Sequence, residues 1–278
     1  MLDKGNNSDW SDLFEIATGT IIGSEHKRLG KNNQDASHTT VSPEALIAVV
    51  TDGCSASRHS EVGANIGARL VSNAVFAMAE FFENPTTDIR ILDIVHKRIL
   101  SDLASIAMKT GEDLIEIVNE YFLFTVLGVV LTKKSSFVFY IGDGVYFVNG
   151  QKYAIEPFPD NAPPYLGYQL LPDYPDYPFR VHQLPPLEMI DSVLIGTDGV
   201  LDFIDTETKN FPGQSQLIGP VSQFWLNDQY FQNPDMVRRT LFRANHESIK
   251  VDWESGRVRR ELGRLPDDTT LITIRLRG

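Results

Sequence analysis

Between residues 121 and 148 the chain passes through apolar segments with almost nothing between them. The segments are 121–131, 136–141 and 145–148, joined by Lys133-Lys134-Ser135 and by Gly142-Asp143-Gly144. Valine, phenylalanine and tyrosine are frequent in them, as in strands. A parallel pair needs a crossover of about a dozen residues. Links this short admit only antiparallel neighbours, so the region reads as a meander rather than as parallel crossover units.

The remaining elements are read around that block. Residues 14–23 alternate loosely as a strand, and 45–51 form a short buried strand that stops at Asp52-Gly53. From 61 to 82 the period changes, with Val62, Ile66, Leu70, Ala74, Met78 and Phe81 recurring every three or four positions. This predicts a long amphipathic helix, closely packed through Ala64, Gly67 and Ala68 and ended by Asn84-Pro85. A second helix is expected from Thr87 or Asp88 to Gly111, with Ile91, Ile94/Val95, Ile99, Leu103, Ile106 and Ala107 inward. Residues 179–184, 191–197 and 270–276 are strand-like, while 217–226 and 234–245 are helical in pattern. Strands and helices in blocks favour an α+β layered fold with antiparallel sheet.

Residues 156–178 hold seven of the 15 prolines and four of the nine tyrosines, so they cannot form a central strand or helix. They predict a long ordered loop or flap-like insertion in a single domain spanning 1–278. A passive surface insertion is the plain alternative.

Composition removes several function classes. Lys and Arg total 25 and Asp and Glu 37, a formal charge of −12. Non-specific nucleic-acid binding and polybasic membrane attachment both need positive charge and are disfavoured. A single cysteine, Cys54, excludes a disulfide framework and a cysteine-rich zinc site. Residues 1–7 show no basic stretch leading into an apolar one, and the run 122–131 is too short to span a bilayer. A cytoplasmic protein without nucleic-acid or membrane partners is expected.

A local pattern recurs. Val49-Val50-Thr51-Asp52-Gly53, Tyr140-Ile141-Gly142-Asp143-Gly144 and Ile195-Gly196-Thr197-Asp198-Gly199 each read apolar strand, small residue, Asp, Gly. Asp267-Asp268 stands before the last strand, and Asn32-Asn33-Gln34-Asp35 lies between the first two. Singly, each is an ordinary turn or helix cap, and Asp268 suits a cap for the turn before the last strand. Together, strand ends would crowd carboxylates that cannot all stay ionised. Hard divalent cations remove that conflict, and all-oxygen ligands favour magnesium, manganese or calcium. Two such ions about 3.5–4 Å apart suit phosphate-ester hydrolysis.

These motifs, with Ser60-Glu61-Val62-Gly63-Ala64, Thr125-Val126-Leu127-Gly128 and Asp267-Asp268-Thr269-Thr270, occur in an order that resembles the metal-dependent protein phosphatase 2C (PPM) family, in its divergent bacterial branch. The opening motif is the stretch from Gly23-Ser24-Glu25-His26 to Gln34-Asp35-Ala36. The resemblance implies a four-layer αββα sandwich with two central, mainly antiparallel sheets flanked by helices. It implies a phosphomonoester hydrolase acting on phospho-Ser/Thr proteins, using two magnesium or manganese ions and possibly a third. Asp52 would bridge the ions and the Gly53 carbonyl would hold one. Asp198 and Asp267 would hold the other, Asp35 would act through water, and Asp143 would hold a weaker third ion. A metal-activated water would attack phosphorus in line without a phosphoenzyme, and a counterpart kinase would be the natural partner.

The chain departs from the family pattern in three places. An arginine common five residues before Asp35 is Gly30, which leaves Lys27, Arg28 or Lys31 to hold phosphate. A common glutamate is Gln34, a neutral residue able to bond a metal-bound water. A frequent histidine is Cys54, which leaves the general acid open; His26 and His59 are candidates by proximity only. A cysteine phosphatase is excluded because position 60 is serine and not arginine. Gly30-Lys31 is no nucleotide loop, because the earlier glycine is Glu25. The alternative function is a pseudophosphatase or phosphoprotein-binding module without turnover. The basic cluster Arg257, Arg259, Arg260 and Arg264 reads as a solvated face that could dock an acidic phosphopeptide.

Overall fold

The structure is a computed structural model that describes residues 13–155, 158, 163–252 and 256–277. Residues 1–7, and 156, 157 and 159–162 of the proline-rich segment, lie outside the described residues. In chain order the first half contains β1 (Phe14–Ile21), α1 (Ser24–Leu29), β2 (Asp35–Val41), β3 (Ala45–Asp52), α2 (Ser60–Phe76), α3 (Pro85–Thr110) and α4 (Leu114–Tyr121). Strands β4 (Val126–Thr132), β5 (Ser136–Ile141), β6 (Val145–Val148), β7 (Gln151–Ala154), β8 (Arg180–Gln183) and β9 (Ser192–Gly196) follow. The chain ends with α5 (Gly199–Ile204), α6 (Gln223–Leu226), α7 (Gln229–Gln232), α8 (Met236–Ala244), β10 (Ser248–Asp252), β11 (Arg257–Glu261) and β12 (Thr269–Leu276).

Two five-stranded antiparallel sheets result, ordered β1-β12-β9-β6-β7 and β2-β3-β4-β5-β8, with β10 and β11 as a separate ribbon. Strand β3 shows why they stack. Leu46, Ala48 and Val50 belong to the apolar layer between the sheets, shared with Val193, Ile195, Ile272 and Ile274. Ala45, Ile47 and Val49 face the other way, into a layer with Val71, Val75, Ile99 and Leu103 of α2 and α3. On the first sheet Leu194 and Leu271 pack instead with Val200, Phe203, Phe224, Val237 and Leu241 from the later helices. A strand apolar on both faces must be covered twice. The result is the αββα sandwich of an α+β fold. Among the described residues, no helix is long and apolar enough to cross a membrane.

Several expectations need correction. Strands β4 and β5 form the expected hairpin, but β6 does not continue the meander. The link Gly142-Asp143-Gly144 carries the chain from one sheet to the other, with both glycines at positive φ, 96° and 131°. Gly144 packs so closely that an added Cβ would lie 2.9 Å from the Gly196 carbonyl oxygen. The strand expected from 121 begins at Val126, because Asp113 caps the short helix α4 through the amides of Ile115 and Glu116.

Helix α2 stops at Phe76, not near 82, and the chain turns so that Phe82 inserts edge-on against Phe137. Asn84 and Pro85 open α3, where the Thr87 backbone N–H donates a hydrogen bond to Asn84 Oδ1. Only 223–226 of the expected helix 217–226 forms, since left-handed Gly219 and then Pro220 interrupt it. Strands β2, β7, β10 and β11 were not expected from the pattern. In the Pro/Tyr-rich segment, Leu166 and Leu171 are buried, and Leu171 packs with Val118 and Leu123.

The buried face of α2 is its small-residue stripe, Gly63, Ala64, Gly67, Ala68 and Val71, while Val62 is exposed. A Cβ on Gly63 would fall 1.7 Å from the Tyr121 carbonyl oxygen. Gly63→Ala gains up to about 1 kcal/mol of helix propensity. Overpacking against backbone costs roughly 1–3 kcal/mol. A clash this close to rigid backbone falls at the upper end of that range, so we expect a net destabilisation of about 2 kcal/mol in urea denaturation. The exposed change Asn65→Ala should stay within about 0.5 kcal/mol.

Candidate metal centre

The antiparallel register of β2 and β3 pairs Asp35 directly with Asp52, the first residue of one strand and the last of the other. Strand β9 ends in the opposite sheet at Gly196, and the next residue, Thr197, donates its hydroxyl to Asp35 Oδ2 at 2.7 Å. Asp198 follows at the start of α5, Asp143 sits in the β5–β6 crossover, and Asp267 precedes β12. The alternation of buried strands therefore brings aspartates from five chain segments to one end of both sheets.

Their electrostatics confirm the proximity. Burial first, then repulsion from Asp35, Asp198, Asp267 and Asp143, raises the pKa of Asp52 well above the usual carboxylate range. Asp35 is raised likewise by burial and by Asp268, with the Thr197 hydroxyl opposing. Asp198 is pushed up to about 7 by burial and by Asp267 and Asp143. Asp143 and Asp267 also rise, chiefly through burial. Among the described residues, none of Asp35, Asp52, Asp143 or Asp198 is paired with a lysine or arginine.

Asp35 Oδ1 and Asp143 Oδ1 are buried without a hydrogen-bond partner. Buried charge without a counter-charge is costly. An oxygen-only donor set of this kind fits hard divalent cations. Asp143, Asp198 and Asp267 open onto a cavity of about 750 Å³, together with His26, Lys31 and Asp202.

The sequence model of the Protein phosphatase 2C family matches residues 22–232, well over half of the chain. The chain belongs to the protein phosphatase 2C family. Its fold and family are those of a protein serine/threonine phosphatase. The Mycobacterium tuberculosis serine/threonine phosphatase PstP/Ppp is 12% identical with a TM-score of 0.54, covering 96% of this chain and 100% of that one. A structure of the PstP catalytic domain in complex with 2 manganese ions has 12% identity and a TM-score of 0.51, covering 96% and 99%. Stp1 from Staphylococcus aureus is 16% identical with a TM-score of 0.52, covering 95% and 96%. No curated protein sequence matches the chain.

The cationic candidates separate. Lys31 lines the cavity and its Nζ donates to the Ser55 carbonyl oxygen. Lys27 Nζ lies over the Phe242 ring, 5.5 Å from its centroid, and Arg28 is exposed beside Glu25. Gln34 is buried and donates to Ser60 Oγ at 2.6 Å, and Ser60 Oγ donates in turn to the Cys54 carbonyl oxygen at 2.9 Å. Gly53 sits where an added Cβ would meet Gln34 O at 2.8 Å. His59 stacks on Tyr121 at 5.1 Å and does not line the cavity.

Asp268 does not cap the turn before β12. Its carboxylate accepts the Gly23 and Gln34 amides, each at 2.6 Å, and lies 2.9 Å from His26 Nδ1. His26, Asp267 and Asp268 place ligand atoms within 4.8 Å of one another. Two backbone donors already occupy Asp268, so we read it as the clamp of the loop around α1, and Asp267 as the member that faces the cavity. Asp202 and Tyr165 were not singled out in the sequence. Asp202 lines the cavity one helical turn after Asp198, a spacing that could have flagged it. Tyr165 is held protonated by burial and by Cys54, and no sequence signal pointed to it.

The clustering has a testable pH consequence. An aspartate in an unfolded chain titrates near 3.9. Asp198 binds its proton more tightly when folded, so the metal-free protein loses stability as pH rises from about 4 towards about 7. His38 and His96, whose protonation burial disfavours, act in the opposite sense. Comparison with Asp198→Asn cancels them. In thermal melts with chelator, the variant should be more stable than wild type above about pH 7 and should lose that advantage near about pH 5. A gap that does not change with pH would contradict the cluster.

Proposed function

We propose that the chain is a divalent-metal-dependent phosphomonoester hydrolase that removes phosphate from phosphoserine and phosphothreonine of protein substrates. The observation that carries this reading is the convergence of Asp35, Asp52, Asp143, Asp198 and Asp267 at one end of both sheets, with no lysine or arginine ion-paired to them among the described residues. Magnesium or manganese would be held by Asp52, the Gly53 carbonyl, Asp198 and Asp267, with Asp35 acting through water and Asp143 at a weaker third position. Bound there, a pair of such cations supplies an acidified water for in-line attack and neutralises phosphate charge.

The chain's own residues do the rest. Thr197 fixes the Asp35 carboxylate, which keeps one oxygen directed away from protein donors. Gln34 and Ser60 brace the Asp52–Cys54 turn from behind. Lys31 at the cavity wall is the cation that holds the phosphate of the substrate. The substrate phosphates are set by a counterpart protein kinase, and the setting is cytoplasmic.

Hydrolysis of p-nitrophenyl phosphate in manganese checks the proposal. We expect turnover that chelator abolishes. Asp198→Asn should lower kcat by at least about 10²-fold while keeping the fold. Lys31→Met should lower kcat/KM by roughly tenfold or more. Folded wild-type protein without turnover in excess manganese would favour a binding module instead.

A further inference from the structure

A second hollow, of about 1040 Å³, lies between the loop 209–215 and the β10–β11 ribbon. Its wall carries Lys209, Lys250 and Arg264 against one carboxylate, Glu261. This local excess of positive charge stands in a chain of net charge −12. Several arginines elsewhere are matched by carboxylates. Arg260 holds Glu247 at 2.6 Å, Arg238 and Arg239 share Asp235, and Arg275 holds Glu15 and Asp228. In the hollow, Lys250 Nζ donates to the Gly213 carbonyl oxygen at 2.6 Å, and Arg264 Nε is buried without an acceptor. Among the described residues, no ion pair joins Lys209, Lys250 or Arg264 to a carboxylate. Glu261 Oε2 accepts the Gly213 amide at 2.9 Å, which ties that carboxylate to the loop backbone.

The wall is fixed by packing. Gly213 is left-handed at φ 72°, and an added Cβ would fall 2.0 Å from Ser248 Oγ of the ribbon. The hollow is also close to the candidate catalytic cavity. Arg264 is three residues before Asp267, and Pro266 and Asp267 line that cavity. Three residues span at most about 11 Å. The two hollows therefore flank one short segment of chain.

We propose that this hollow docks an acidic side chain of the phosphoprotein substrate, a carboxylate or a second phosphate, about three to five residues from the phosphorylated one. The inference rests on the phosphatase reading above and names the substrate class for it. The Arg264 guanidinium suits the planar oxygens of such a group, and Lys209 and Lys250 add charge at the open rim. A site this exposed acts on substrate capture and weakens with salt.

The test uses the full chain, p-nitrophenyl phosphate and phosphothreonine peptides of equal length. One peptide carries glutamates three to five positions from the phosphothreonine, one carries a second phosphate there, and one carries glutamines. Wild type should prefer both anionic peptides over the neutral one by about tenfold in kcat/KM at low salt. Comparing the two anionic peptides tells carboxylate from phosphate. In the double variant Lys209→Glu/Lys250→Glu the preference should collapse to within about twofold. Turnover of p-nitrophenyl phosphate should stay unchanged. The control Lys97→Glu/Lys109→Glu, with equal charge change on α3, should keep the preference.

Equal rates on all three peptides, with p-nitrophenyl phosphate still hydrolysed, overturn the docking site and leave the phosphatase intact. If wild type hydrolyses nothing, the phosphatase reading fails and docking is read by anisotropy of a labelled acidic phosphopeptide. Binding lost in the Lys209/Lys250 variant supports the site, and equal binding overturns it.

Discussion

Carboxylates gathered in a low-dielectric setting repel one another, and here Asp35, Asp52, Asp143 and Asp198 are gathered without a lysine or arginine paired to them among the described residues. Something other than charge must hold them there. Neutral hydrogen bonds do so: the β2–β3 register fixes Asp35 opposite Asp52, and the Thr197 hydroxyl spans the two sheets to Asp35. Asn245 binds the approach to β12 from both sides, donating to the Ile22 carbonyl at 3.0 Å and accepting the Leu265 amide at 3.2 Å. The apolar layer between the sheets supplies the stability that the repulsion opposes. Because the scaffold is tied by backbone and hydroxyl groups, Asp35 Oδ1 and Asp143 Oδ1 are left without a hydrogen-bond partner, which is the state a hard cation needs.

Asp267 and Asp268 show how finely this division is drawn. They are neighbours in sequence and differ in every physical respect. Asp268 is buried, accepts two amides from the loop around α1, and thereby anchors the segment that carries His26 and Lys31. Asp267 faces the cavity, bonded only to the next amide at 2.8 Å. One carboxylate is held by the loop around α1 and the other opens onto the cavity. Gly23 packs so tightly on this segment that an added Cβ would lie 2.4 Å from the Asp267 carbonyl carbon.

Much of this was legible in the sequence. The buried strands β3 and β9 are largely apolar runs that lead into Asp52 and Asp198, and Asp267 stands just before β12, so fold and site share one signal. Other features were not legible, for physical reasons. Gly142-Asp143-Gly144 is as short as a hairpin turn, and only the tertiary packing of Gly144 on Gly196 reveals that it changes sheets. The close packing of α2 through Ala64, Gly67 and Ala68 was legible, but burial follows close approach and not hydrophobicity, so Val62 of the apolar period stands outside. Strands β10 and β11 are rich in charge and have no apolar face in the core, which leaves period alone to mark them. The clamp by Asp268 spans 245 and 234 residues to its two donors, beyond any local pattern.

The departure at position 30 has a structural cause of its own. Gly30 closes helix α1 in the left-handed conformation at φ 69°, its amide bonded back to Lys27 O at 3.2 Å. Arginine there would be strained whatever room surrounds it. The Lys31 amide then bonds to His26 O at 3.0 Å, completing the cap and turning the following side chain to the cavity wall. Helix-end chemistry thus moves the nearest cation one residue along the chain. It also exchanges a forked guanidinium for a single ammonium, which holds phosphate as a point charge without fixing its orientation. On the reading proposed above, orientation would come from elsewhere, and docking of the substrate at the basic hollow beside Arg264 would supply it without any change at the centre itself.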